Sequence, residues 1–221
     1  MGRKLPETLQ RSEAKALLEQ PSLSCPTGIR NRAMLELMYH AGLRLGEVVG
    51  LRPSDIRWEA GELHLQHTKG GRHRVVPLSE ETLGYLRLWA EKRPAGRSKR
   101  FFTTLKGKPV SPRYVQAMVA REARNAGIER RVHPHMLRHT YATELLDEGY
   151  NIREVQELLG HANLSTTQIY THVNLGKLKE KVRQRGQSPA EADEVQRLAQ
   201  KLAGMSAEQR KALSESLAML Q

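Results

Sequence analysis

HMLRHTYATELLDEGYNIREVQELLGHANLSTTQIY, residues 135–170, is the stretch from which the rest of the chain is best read. It lies in a helical block that the pattern carries from Pro134 to about Arg185. His135 and Arg138 are three residues apart and so share one helix face. His161 sits in a Gly-His turn, and Tyr170 follows nine residues later, within STTQIYTHV. The Ser165-Thr166-Thr167 run offers a helix cap that would put Tyr170 early on a short helix. Arg138 lies between Leu137 and His139 in a half-apolar helical stretch, an unusual setting for an ordinary surface arginine.

Working outward, two more cationic residues stand at breaks in the pattern. Arg44, in AGLRLGE, comes just after an apolar helix. Lys69, in HTKGGRHRVVPL, sits beside Gly70 and Gly71 at a turn. Around them the elements read in order. Ala14, Leu17 and Leu18 have helical spacing behind a cap at Thr8 or Ser12. PSLSCPTG reads as a loop. Met34, Leu35, Leu37, Met38 and Leu43 mark a buried helix over 30–49 that breaks at Gly42, and a second helix begins near Leu45 and ends before Pro53.

The period then changes. Ile56 and Trp58 precede a turn at 59–62, Leu63 and Leu65 alternate with His64 and Gln66, and His73 to Leu78 is a third extended run. Together these predict a three-stranded antiparallel sheet. Helical patterning resumes at 79–92 and 111–126, and Phe101-Phe102 is either a short strand or a plug in the core. The fold class is therefore α+β, mainly α, with one small sheet. Ser188, Pro189 and Glu191 then open a capping pattern. Ser206 with Gln209 repeats it. Val195, Leu198 and Leu202, then Leu213, Leu217 and Leu220, form two apolar stripes. The expected division is a main domain over 1–185 and a helical hairpin appendage over 186–221.

Composition narrows the class of partner. The 221 residues carry a formal net charge of +12, which favours a polyanion, nucleic acid first. A single cysteine, Cys25, gives no intrachain disulfide, and it stands in a turn-rich loop without a histidine beside it. The first ten residues lack the apolar core of a signal peptide, and no apolar run is long enough to span a bilayer. The expected location is cytoplasmic, nucleoid-associated if DNA is the partner. His139 follows His135 by four, but Met136 stands where a zinc protease needs glutamate, and no metal site is expected.

These residue types suit one reaction. Displacement at a phosphodiester needs a nucleophile in line, cations around the phosphorus, a proton for the leaving oxygen and a base for the nucleophile. Guanidinium holds a phosphoryl group best, through two parallel hydrogen bonds and a permanent charge; Arg44 and Arg138 are the candidates. A lysine on a turn, Lys69, can protonate a leaving oxygen. His135 can assist deprotonation of a tyrosine. Arg72 and Arg74 are expected to touch backbone phosphates. His133 and His172 carry no strong claim.

AGLRLGEVVGL, HTKGGRHRVVPL, HPHMLRHTYATELL and LLGHANLSTTQIYTHV together resemble the tyrosine recombinases, the integrase and Xer-type enzymes, over residues 5–180. The resemblance implies a helical catalytic domain that cleaves and rejoins DNA through a 3′-phosphotyrosyl intermediate, without cofactor or metal. It assigns Arg44 and Arg138 as the two catalytic arginines, Lys69 as the hairpin lysine, His135 and His161 as the two histidines, and Tyr170 as nucleophile. Glu47 matches an acidic residue that supports the first arginine. The implied partner is double-stranded DNA, with a homo-oligomer, a synaptic tetramer, assembled on it.

Only a few residues precede the matching region, so the family's separate N-terminal DNA clamp has no expected counterpart here. That leaves two other readings: a non-catalytic DNA-binding or regulatory relative, and an enzyme of the same chemistry that only relaxes supercoils.

Overall fold

The structure is a computed structural model that describes residues 7–65, 73–96, 98–160 and 182. Among them the architecture is seven helices and one three-stranded sheet. Helix α1 spans Arg11–Glu19, α2 Pro26–Tyr39 and α3 Leu45–Gly50. Strands β1 (Ile56–Arg57), β2 (Glu62–Leu65) and β3 (Arg74–Pro77) follow, then α4 (Glu80–Lys92), α5 (Pro112–Asn125), α6 (Pro134–Asp147) and α7 (Ile152–Leu159). The expected mainly helical class with a small antiparallel sheet is what forms. None of the described helices is long and apolar enough to cross a membrane.

Helix α2 is the central post. It is buried from Gly28 to Tyr39 and packs against α1, α3, α4 and α6. A helix buried on all sides must satisfy its own polar residues. Arg32 Nε donates to Glu36 Oε1 at 2.7 Å. Arg30 donates to the Thr103 carbonyl at 3.0 Å and to the Tyr114 hydroxyl at 2.6 Å. The sheet is ordered β1-β2-β3, with Leu63 opposite Val76 and Leu65 opposite Arg74. The main core runs from Leu9 to Leu137. A smaller one gathers Tyr141 and Leu145 of α6, Val155, Leu158 and Leu159 of α7, and Tyr150 of the connection between them, with Val182.

Several expectations shift in detail. Helix α1 is capped at Gln10, not at Thr8 or Ser12, because the Glu13 carboxylate reaches back to accept the Gln10 N–H at 2.8 Å. Helix α2 begins at Pro26, inside the stretch read as a loop. Cys25 Sγ accepts the Gly28 N–H at 3.4 Å, and proline at the first position costs no hydrogen bond. Phe101 and Phe102 are core plugs, fully buried and edge-to-face with centroids 5.0 Å apart. Ser79 and Ser111 cap α4 and α5, accepting from Thr82 N at 3.2 Å and Tyr114 N at 3.1 Å. The appendage expected over 186–221 lies outside the described residues.

Candidate active site

Four elements converge where α3 begins. Arg44 is the residue before α3, Arg74 opens β3, Arg138 lies on the second turn of α6, and the end of α7 faces all three. Arg44 takes its place because the chain turns sharply at Gly42, whose φ is +60°. A Cβ there would sit 2.6 Å from a Tyr141 ring carbon and 2.8 Å from a Leu159 methyl, so only glycine allows the close passage. The turn aims the Gly42 carbonyl at Arg138, which donates to it through Nη1.

One carboxylate organises the cluster. Glu47 Oε2 accepts the Arg44 backbone N–H at 2.8 Å and Arg74 Nη2 at 2.8 Å, while Oε1 accepts Arg44 Nη1 at 3.1 Å. The last carbonyls of α7 supply the other acceptors. The Leu159 oxygen takes Arg74 Nη1 at 2.5 Å and Arg138 Nη2 at 2.7 Å, and the Gly160 oxygen takes Arg44 Nη2 at 3.4 Å. A helix C-terminus carries partial negative charge on such unpaired carbonyls, so it attracts cations.

The balance is nonetheless cationic: among the described residues, three guanidinium groups face one carboxylate. Burial, then the neighbouring Arg44 and Arg74, push Arg138 down to about 9, against the opposing pull of Glu47. Arg74 is likewise pushed down, first by burial and then by Arg44, with Glu47 opposing. Burial is the larger cause in both, and the repulsion of neighbouring guanidinium groups adds to it. An anion with several acceptor oxygens would offset that repulsion.

His135 stands exposed one turn before the buried Arg138 on α6. Its ring lies 6.4 Å from that of His133, whose Nδ1 accepts the Met136 N–H at 3.2 Å as the cap of α6. Burial, then His135, Arg138 and His133, lower the pKa of His139.

The structure therefore brings Arg44, Arg138 and Glu47 together and sets His135 on the same helix as Arg138. Lys69, Arg72, His161 and Tyr170 lie outside the described residues. Lys69 belongs to the connection between β2 and β3, and His161 directly follows Gly160 in the chain.

Arg74, expected to touch backbone phosphates, has a side chain that is 8% exposed and lies inside the cluster. The signal was in the alternation of β3. Arg74 and Val76 share one face of the strand, Val76 is fully buried, and Val75 between them is exposed. The Gly42, Leu159 and Gly160 carbonyls had no signal in side-chain identity, because the backbone alone supplies them.

Comparisons with known proteins agree with this geometry. The chain is 44% identical over 172 residues to the tyrosine recombinase XerC of Xylella fastidiosa (strain 9a5c), covering 78% of this chain and 58% of that protein. Among solved structures it resembles the XerA recombinase, with a TM-score of 0.66 at 31% identity, covering 81% of this chain and 65% of that one. It also resembles the XerH site-specific recombinase bound to palindromic difH substrate in a post-cleavage complex, with a TM-score of 0.64 at 31% identity, covering 80% and 53%. The chain thus spans a little over half the length of the curated relative it matches. The model of the phage integrase family matches residues 7–176, the region that contains every element of the site, and the chain belongs to that family.

Proposed function

We propose that this chain cleaves and rejoins double-stranded DNA at a specific site through a phosphotyrosyl intermediate. The observation that carries the reading is the surplus of guanidinium charge among the described residues: Arg44, Arg74 and Arg138 gathered around the carboxylate of Glu47. Membership of the phage integrase family and the likeness to a recombinase solved with its substrate support it.

In this reading the Tyr170 oxygen attacks the scissile phosphorus as the bond to the 5′ oxygen breaks. The tyrosine proton passes to a base, with His135 assisting, and Lys69 protonates the departing 5′ oxygen. Arg44 and Arg138 exchange backbone carbonyls for the phosphoryl oxygens and hold the charge that builds in the transition state. His161 adds a hydrogen bond. The 5′ hydroxyl of another strand then attacks the phosphotyrosine, restores a phosphodiester and returns the proton to Tyr170. The bond energy stays in the covalent intermediate, so nothing external drives the second step.

The reaction domain covers residues 1–185, and the segment over 186–221 is an appendage to it. Strand exchange takes place in a homo-oligomer assembled on DNA, a synaptic tetramer. The test is a nicked duplex that loses a short fragment on cleavage and traps the covalent product. Wild-type protein should yield a protein–DNA adduct on a denaturing gel, and Tyr170→Phe should yield none while binding the same duplex. An adduct at wild-type yield in the phenylalanine variant would exclude Tyr170 as nucleophile.

A further inference from the structure

We infer that Arg74 is a positioning residue, one that locks the lysine-bearing hairpin to the end of α7 and sets both clamp arginines. The inference rests on the proposed reading of this site as one that cleaves a phosphodiester. It concerns how the site is held, not what it cuts.

Net charge alone would send Arg74 to the DNA surface. Its contacts point elsewhere. Nη2 donates to Glu47 Oε2 at 2.8 Å, and Nη1 donates to the Leu159 carbonyl at 2.5 Å. Each acceptor is shared with a clamp arginine: Glu47 with Arg44, and the Leu159 carbonyl with Arg138. The position of either clamp guanidinium is therefore tied to Arg74 through one shared oxygen atom or carboxylate. A planar fork can hold two acceptors at a fixed angle, whereas a lysine ammonium is a point charge on a flexible stem.

Packing gives an independent sign of the same lock. Gly160 has φ +63°, and a Cβ there would lie 2.5 Å from Arg74 Cδ and 2.6 Å from its Nη1. The end of α7 thus rests directly on the Arg74 side chain, and His161 is the next residue. On its other side, Arg74 pairs with Leu65 in the ladder, and the chain between those two partners holds Lys69. One side chain links the strand that follows the lysine, the carboxylate beside Arg44, the carbonyl under Arg138 and the residue before His161.

The competing role is direct contact with a phosphate through Nε. That atom is buried and has no hydrogen-bond partner among the described residues. The two roles separate cleanly with Arg74→Lys, which keeps the charge and loses the fork. Hydrogen exchange on the free protein is read first, because it needs no cleavage. Exchange should quicken in peptides covering Leu158–Gly160 and stay unchanged in α2. On the nicked duplex, single-turnover adduct formation should slow about 100-fold, the scale expected when reacting groups are displaced by about 1 Å. DNA affinity and its salt dependence should not change. Glu47→Gln added to Arg74→Lys should slow adduct formation little beyond the slower single variant, because the two act as one unit.

In Arg74→Gln, which removes the charge, weaker DNA binding with a salt slope lower by about 1, and no change in exchange at α7, would assign Arg74 to a phosphate and overturn the inference. So would exchange that rises throughout the chain, or adduct formation at the wild-type rate. If wild-type protein forms no adduct, the functional reading falls. The exchange at Leu158–Gly160 still decides whether Arg74 holds α7.

Discussion

Replacing Glu47 with glutamine removes one negative charge from beneath three guanidinium groups while keeping the shape of the side chain. In the native site the carboxylate is 6% exposed and forms ion pairs with Arg44 at 3.1 Å and Arg74 at 2.8 Å. A single unit pair at about 4 Å is worth about 4 kcal/mol at an effective dielectric of ~20. The carboxylate's own burial offsets much of two such pairs, and breaking a buried pair by removing one partner costs about 3–5 kcal/mol. For a chain of this length that is a fall in Tm on the order of 10 °C. The glutamine carbonyl can fill only one of the two oxygen positions, so the amide N–H₂ faces a guanidinium N–H at the other and the cationic charge is left without its counterion.

An added anion should replace part of what was lost. A ligand at about 100 times its Kd stabilises the native state by about 2.7 kcal/mol. The assay is thermal melting of both proteins in dilute chloride buffer and in sulfate. General salting effects of sulfate act on both proteins alike, so the gap between them is the readout. It should be wide in chloride and shrink by about half in sulfate. Melting of Glu47→Gln within about 1 °C of wild type, or a gap unchanged by sulfate, would refute the picture of an anion site held together by Glu47.

Arg138→Ala should slow adduct formation on the nicked duplex by about 10²–10³-fold, the usual loss when one donor to a transition-state oxygen is removed; a normal rate would remove Arg138 from the site. Gly42→Ala should destabilise the protein by about 1–3 kcal/mol, since the new methyl overlaps the Tyr141 ring and the backbone is left-handed there; chemical denaturation measures this, and an unchanged midpoint would contradict the crowding. Adduct formation should proceed in excess EDTA, because side chains supply the charge and protons; activity lost with chelator and regained with magnesium would point to a different chemistry. Binding to duplex DNA should fall about 10³-fold between roughly 50 and 200 mM salt as phosphate contacts release counterions, and fluorescence anisotropy would expose a flat response.

Much of this was legible in the sequence, and the exceptions have physical causes. Ala14, Leu17 and Leu18 announced α1, and Ile56, Leu63 and Leu65 announced the sheet, because burial imposes its period on apolar residues directly. Arg44 and Arg138 stood out because each is a cation in an apolar setting. The start of α2 was hidden: prolines and glycines in PSLSCPTG read as loop chemistry, yet Pro26 is a helix's first residue and Cys25 its cap. The burial of Arg74 was hidden because basic residues cluster around it in HTKGGRHRVVPL, and charge outweighed the strand alternation that buries it. The acceptors of Arg138 could not be read at all, since carbonyls of Gly42 and Leu159 belong to the path of the chain and not to any side chain.

The ladder between β2 and β3 has a consequence for how such a domain can diverge. The backbone of Arg74 is set by its pairing with Leu65 and by Leu63 opposite Val76, so the face of the sheet on which its side chain lies follows from strand register. Residues inserted or deleted between Leu65 and Arg74 alter the reach of the connecting segment, and the register survives wherever the buried Leu63, Leu65 and Val76 hold the pairing. A single insertion between Val75 and Val76 that keeps Val76 opposite Leu63 would instead turn the arginine outward and bring Val75 inward. Length variation in this hairpin should therefore collect between the paired strands, where natural variants or a designed library could retune the lysine's reach at little cost to the arginine cluster.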